Sequence, residues 1–305
     1  AEDDDENGYI DDAHGFWFRW ASMHGERSGQ TVTLDLPSAV TSHSTEVAGV
    51  VGAIIDNNLA VAGIHPRVKL VILGGKSDFL PSVFRYASQI GVDIVNMSWH
   101  HDILKTDSDE DFLDEIKDNE LLFFDTMDPQ IAYFAAAGND KRDMDVDPLA
   151  SGLWNFPQQV PTDHCVVVAA TNIEDELVSR WYYYWADTEC PHGVDINCGS
   201  NFGLTTVDIA APGDAFFVLN NQPPYNLERG SEGTSIASPV AAAVAGLAIS
   251  RFPDIFSGRP LLLIDRLYQT VDKALDSPNL STLTGKIKTE GRVNAEKILD
   301  DFNYS

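Results

Sequence analysis

Apolar positions along the chain fall into two kinds of pattern. Five short runs are almost continuously apolar: "VKLVIL" (68–73), "DIVNMS" (93–98), "IAYFAAAG" (131–138), "CVVVAAT" (165–171) and "VDIAAP" (207–212). A strand with one wet face alternates, and these do not, so they predict strands covered on both faces. Between and beyond them, apolar residues recur at helical spacing, predicting helices over 43–56, 79–90, 109–119, 235–251, 261–275 and 293–301. Strands alternating with helices imply a doubly wound α/β fold, a mainly parallel sheet with helices on both faces. No internal repeat and no Pro-, Gly- or Ser-rich linker divides the chain, so residues 1–305 are expected to form one domain. The segment "WYYYWADTECPHGVDINCGS" (181–200) reads as an aromatic, loop-like insertion with no assignable role.

Composition narrows the setting. With 305 residues, 44% of them hydrophobic, the chain can bury one large core. Its 47 acidic against 20 basic side chains give a formal charge of −27, a field that repels nucleic acid and anionic membranes. That balance suits a secreted, extracellular or high-salt protein. No apolar run reaches membrane-spanning length and no basic-then-apolar leader stands at the front. The first residue is Ala1, not Met, which raises the expectation of a processed N-terminus. Of three cysteines, Cys165 sits in a buried strand as a small apolar filler. Cys190 and Cys198 flank a short loop and either bridge, in an oxidising compartment, or remain thiols.

Candidate chemistry begins at "RGSEGTSIASPVAAAVAGL" (229–247). Its second half is a helix that admits nothing larger than Val or Leu, and its polar residues stand where that helix begins. Ser235 there would lie beside free backbone N–H groups and the positive helix end, which stabilise a developing oxyanion. Pro239 is expected in the first turn, where backbone donors lack partners anyway. The competing reading is that Thr234 or Ser235 merely caps the helix. "SHSTEVAGVVGA" (42–53) places His43 at the start of a second close-packing helix, through Ala48, Gly49 and Gly52. A base there could activate a serine within hydrogen-bond reach. "YFAAAGND" (133–140) ends a strand at Asn139, whose amide can donate to an oxyanion, although Gly-Asn is also an ordinary turn.

In this order the stretches resemble the subtilisin-like serine proteases. "HSTEVAG" is similar to that family's histidine motif, "NMS" to its substrate strand, "AAAGND" to its oxyanion asparagine motif and "GTSIASP" to its nucleophile motif. "GIHPRVKL" (63–70), "VDIAAPG" (207–213) and "GKIKTEGRVNAEKIL" (285–299) extend the resemblance over nearly the whole chain. It implies a serine endopeptidase acting on peptides or proteins through an acyl-enzyme, with Ser235 as nucleophile, His43 as general base and Asn139 as oxyanion donor. Ser98, Trp99, His100, Ala137 and Gly138 fall at substrate-binding positions. The other common serine-hydrolase signature, Gly-x-Ser-x-Gly, does not fit "GTSIA".

"DDDENGYIDD" (3–12) carries a second signal. Asp3, Asp5 and Asn7 alternate, Gly8 permits a sharp turn and Asp11 follows, as at the start of a calcium loop, with the Tyr9 carbonyl as a further ligand. His14 stands where that pattern has Glu, and the alternative is a solvated acidic terminus. The resemblance implies a similar acidic loop, and hence structural Ca2+.

The chain also departs from the family pattern. Ser44 replaces the glycine after the histidine, and Trp99 and His100 replace a small or aliphatic residue and a glycine. No stretch like "VAVIDTG" precedes His43 to supply the triad's aspartate. Asp35, in "VTLDLPS", follows alternating apolar residues but lies only eight residues ahead of His43. Two expectations follow: a separate N-terminal segment that carries the aspartate and docks here, or an inactive homologue that uses the cleft to bind peptides.

Overall fold

Four of the five apolar runs form one parallel sheet, in the order Ile209–Pro212, Cys165–Thr171, Ala132–Ala136, Ile94–Met97. The register pairs Ile94 with Ala132, Tyr133 with Cys165 and Ile209 with Val168. The computed structural model describes residues 15–18, 29–31, 42–58, 61–74, 80–105, 108–183, 188–189, 198–214, 216–219 and 227–300.

Side-chain alternation explains why these strands carry no polar face. Ala132 and Phe134, with Val166, Val168 and Ala170, point to one side, into a core shared with the helix Thr234–Arg251. Tyr133, Ala135 and Cys165 point to the other, against Phe84 of the helix Leu80–Gln89 and Phe112, Ile116 and Phe123 of the helix Asp109–Thr126. Both faces are dry, so period-two polarity is absent. Cys165 is buried and free, its thiol pushed up chiefly by burial, as expected of an apolar filler.

The fifth run is a correction. Only Ile72–Gly74 is a strand, paired parallel with Gly15–Phe18, which in turn pairs antiparallel with Gly29–Thr31 in a separate sheet. The front of the run serves another purpose. Val68 and Leu70 press on Gly52, lying 2.6 and 3.0 Å from where a Cβ would stand. This contact helps seat the helix Ser42–Gly52.

Helix limits differ from the sequence pattern for local reasons. The expected helix 43–56 stops at Gly52, and the chain beyond it turns through left-handed Asp56 and Asn58. The expected helix 109–119 runs on to Thr126, because Phe123 is drawn into edge-on packing against Phe84 at 5.4 Å. The expected helix 261–275 ends at Gln269, after which Asp272 and Arg292 exchange backbone hydrogen bonds. Two antiparallel pairs, Phe216–Leu219 with Leu227–Ser231 and His101–Leu104 with Leu153–Phe156, were not legible in the pattern.

By length and composition Thr234–Arg251 could cross a membrane, contrary to the expectation that no segment would qualify. Most of its residues are buried against the sheet, so its apolarity is that of a core helix.

Candidate active site

Pro239 lies inside the helix Thr234–Arg251, beyond its first turn. It has no N–H, so the carbonyl four residues back, that of Ser235, loses its helical donor. The Ser98 hydroxyl fills the gap, donating to the Ser235 carbonyl at 2.7 Å. Asn96 then braces both sides: its Nδ2 donates to Ser98 Oγ at 2.9 Å, and its Oδ1 accepts from Ser238 Oγ at 2.7 Å. The end of one core strand is thereby bolted to the start of the serine helix.

The capping reading of Thr234 and Ser235 fails. Gly233 is the N-cap, with φ +140, and no side chain makes a capping bond. Thr234 turns inward instead. Its N–H and hydroxyl donate to Asn139 Oδ1 at 2.9 and 3.0 Å, and its Oγ1 accepts from the Gly138 N–H at 2.9 Å. A backbone N–H can only donate, so the Asn139 atom facing Thr234 is oxygen and the amide NH2 faces outward. Ser235 Oγ and Asn139 Nδ2 lie 3.2 and 3.4 Å from the point a Cβ on Gly233 would occupy. Glycine at 233 therefore leaves open the space in which the two polar atoms converge.

The loop carrying Asn139 is held from behind. Gly138 adopts φ +103, which a side chain would resist. Asn201 accepts from the Asp140 and Arg142 N–H groups at 3.0 and 2.9 Å and donates to the Ala137 carbonyl at 3.0 Å. The buried Trp181 indole donates to the Asn139 carbonyl at 3.3 Å. At least the first residue of the aromatic segment 181–200 thus has a role, as a prop for Asn139. Cys198 is disulfide-bonded, and Cys190 lies outside the described residues.

His43 is exposed near the start of a helix that packs against the serine helix. Its Nδ1 stands 3.6 Å from Glu46 Oε2, one turn along the same helix. Glu46 is mostly buried and its Oε2 also accepts from Ser231 Oγ at 2.9 Å. Glu46 raises the His43 pKa, against the opposing pull of burial, and a hydrogen bond to the Ser98 backbone raises it further. His43 in turn lowers the Glu46 pKa, as does Ser231. His43 and Ser235 therefore meet at Ser98, one at its backbone and one through its hydroxyl.

Glu232, three residues before Ser235, has its carboxyl pushed up to about 8, chiefly by burial and then by the charges of Asp214 and Glu46. Its Oε2 has no hydrogen-bond partner among the described residues. Sequence reading missed Glu46, Glu232 and Asp214, and saw Thr234 only as a possible cap. Glu46 alone had a local signal, the i,i+3 spacing from His43.

The remaining expected site residues spread out. Ala137 is buried beside Gly138. The Trp99 ring packs on Phe156 at 6.2 Å, and His100 is exposed with Asp102 at 3.5 Å. His65, in "GIHPRVKL", is structural: its Nε2 sits 2.8 Å from Ser250 Oγ at the far end of the serine helix. Asp3, Asp5, Asn7, Tyr9, Asp11 and Asp35 lie outside the described residues.

The sequence model of the Subtilase family (Peptidase S8) matches residues 18–285. The chain belongs to the subtilase family. Membership places it, at family level, among the serine proteases. Subtilisin-like protease 1 of Plasmodium falciparum is 26% identical over 262 residues, 83% of this chain and 33% of the relative. The halolysin-like extracellular serine protease Nep of Natrialba magadii is 27% identical over 266 residues, 85% of this chain and 39% of that protein. The chain thus spans about a third of the length of these relatives. Among solved structures, the epidermin leader peptide processing protease EpiP of Staphylococcus aureus superposes with a TM-score of 0.60 at 19% identity, over 84% of this chain and 62% of EpiP. A lanthipeptide protease does so at 0.60 and 18%, over 89% and 77% of the two chains. These likenesses speak for the fold, a subtilisin-like α/β sheet.

Proposed function

We propose that this subtilase is a serine endopeptidase in which Ser235 is the nucleophile, His43 the general base and Asn139 the oxyanion donor. The observation that carries this is the convergence of Ser235 Oγ and Asn139 Nδ2 over Gly233, with the amide oxygen tied back by Thr234. Ser235 keeps partial exposure between the buried Thr234 and Ile236, so a substrate carbonyl has access to it. His43 takes the proton as Ser235 Oγ attacks the scissile carbonyl, and the Asn139 amide and the Ser235 N–H receive the oxyanion. Collapse expels the amine with that proton. Water, activated by His43, then releases the acyl group and restores the serine.

Substrate would lie along Ser98, Trp99 and His100 on one side and Ala137 and Gly138 on the other, with small side chains preferred before the cut. Cleavage that is best after Phe or Tyr would count against that preference. The acidic loop at Asp3, Asp5, Asn7, Tyr9 and Asp11 is proposed to bind Ca2+. A melting temperature indifferent to calcium, on protein first stripped by chelator, would refute it. The acidic composition and the extracellular Nep support secretion.

An activated serine reacts with a fluorophosphonate probe, and an inactive peptide-binding homologue does not. Labelling lost in Ser235→Ala, together with peptide cleavage, is the expected result. Cleavage that survives this change in pure protein would sink the assignment.

A further inference from the structure

We propose that Glu46 is the positioning residue of His43, holding the imidazole from one turn along the same helix. This rests on His43 being the base. The resemblance gives that part to an aspartate on a strand ahead of the histidine; here a carboxylate already occupies the Nδ1 side. Glu46 Oε2 is 3.6 Å from His43 Nδ1, a charge-pair contact at the long end of the range. The carboxylate does not wander, because Ser231 Oγ donates to the same oxygen at 2.9 Å. Ser231 ends the strand that leads through Glu232 and Gly233 into the serine helix. One oxygen therefore links the helix of the base to the segment of the nucleophile.

Two consequences separate positioning from simple packing. A carboxylate 3.6 Å from Nδ1 favours the neutral tautomer with its proton on Nδ1, which leaves the lone pair on Nε2 as a base needs. A carboxylate beside the ring also favours the imidazolium that forms when the serine proton is taken. The direction of both titrations, His43 up and Glu46 down, agrees with this pairing. Among the described residues, Glu232 is a further charge that interacts with Glu46, and it in turn faces Asp214; both are acidic.

The test is Glu46→Gln, with Glu46→Asp as the charge-keeping variant, in the full natural protein. His43 is followed by imidazole NMR, its resonance identified by its loss in His43→Ala. In Glu46→Gln we expect the His43 titration and the acid limb of kcat to move together to lower pH. kcat should fall at least tenfold with KM little changed; the roughly 10⁴-fold cost of losing a fully buried partner is an upper bound for this half-exposed pair. Glu46→Asp should recover part of the loss, which a merely structural role would not predict. A His43 titration unchanged in Glu46→Gln would overturn the pairing. A shifted titration with kcat unchanged would overturn the positioning role, because another group would then hold the base. Neither result touches the enzyme reading, which stands or falls with Ser235→Ala.

Discussion

The Ser98 hydroxyl donates to the Ser235 carbonyl at 2.7 Å, replacing the N–H that Pro239 cannot offer. A proline inside a helix ordinarily breaks a bond and bends the axis. Here the broken bond becomes the joint between the serine helix and the end of the strand Ile94–Met97. It also accounts for a serine at 98, two residues beyond Asn96, whose side chain steadies it.

Ser98→Ala should therefore destabilise the fold by about 1–3 kcal/mol, since the Ser235 carbonyl and the Asn96 amide both lose a partner. The His43 contact is to the Ser98 backbone and survives the change, so the base should titrate as before. Urea unfolding measures the first effect. An unchanged midpoint would show that the joint is not needed.

Asn139→Ala removes the outward amide and should lower kcat roughly 10²–10³-fold with little change in KM. Thr234→Val keeps that amide and the backbone N–H on its oxygen but removes the hydroxyl that also holds it, loosening the group. It should lower kcat less than Asn139→Ala does. Steady-state kinetics on both variants decides it, and a Thr234→Val protein worse than Asn139→Ala would show that the clamp is not acting through Asn139.

Legibility in the sequence followed burial. The strand Cys165–Thr171 matches its expected limits to the residue, because both faces are covered and every position before Thr171 is apolar. The placing of His43 at a helix start, Asn139 just past a strand and Ser235 at a second helix start was legible from local sequence, with Gly138 and Gly233 ahead of the latter two. Glu46 was not read, since only tertiary packing shows that Ser231 and His43 share its carboxylate. Glu232 and Asp214 are 18 residues apart and meet through a hairpin with no clear strand pattern. The run 68–73 misled because Val68 and Leu70 are apolar for the sake of Gly52, not of the sheet.

Gly138 and Gly91 make a matched pair. Both have positive φ, +103 and +66, but a Cβ at 138 would stand 2.4 Å from Asn201 Nδ2, while one at 91 meets nothing within 4 Å. Gly138→Ala should cost roughly 1–3 kcal/mol in backbone strain and displace Asn201, loosening the Asn139 loop. Gly91→Ala should cost about 1 kcal/mol and leave activity intact. Comparable losses of kcat in the two variants would refute the account of the Asn139 loop.

The last prediction concerns Glu232, whose carboxyl is pushed up to about 8 from its ordinary 4.5 by burial and by the neighbouring charges of Asp214 and Glu46. The sign follows from proton counting. Between these two values the folded protein holds a proton at Glu232 that the unfolded chain has released. Stability therefore falls as pH rises through that window. The contribution is fully present below about pH 4.5 and gone above about pH 8. The side chain is only half-buried, so solvent screening trims the effect without reversing it. Glu232→Gln keeps the shape and removes the ionisation. The melting temperature of the variant should gain on the native protein from pH 5 to pH 8, and the difference should level off above that. His43, whose raised pKa also stabilises the low-pH side, is present in both proteins and cancels in the comparison. Calorimetry across that range reads the difference directly. A melting difference constant with pH would mean that Glu232 is ionised throughout and that the three carboxylates do not repel one another as their placement requires.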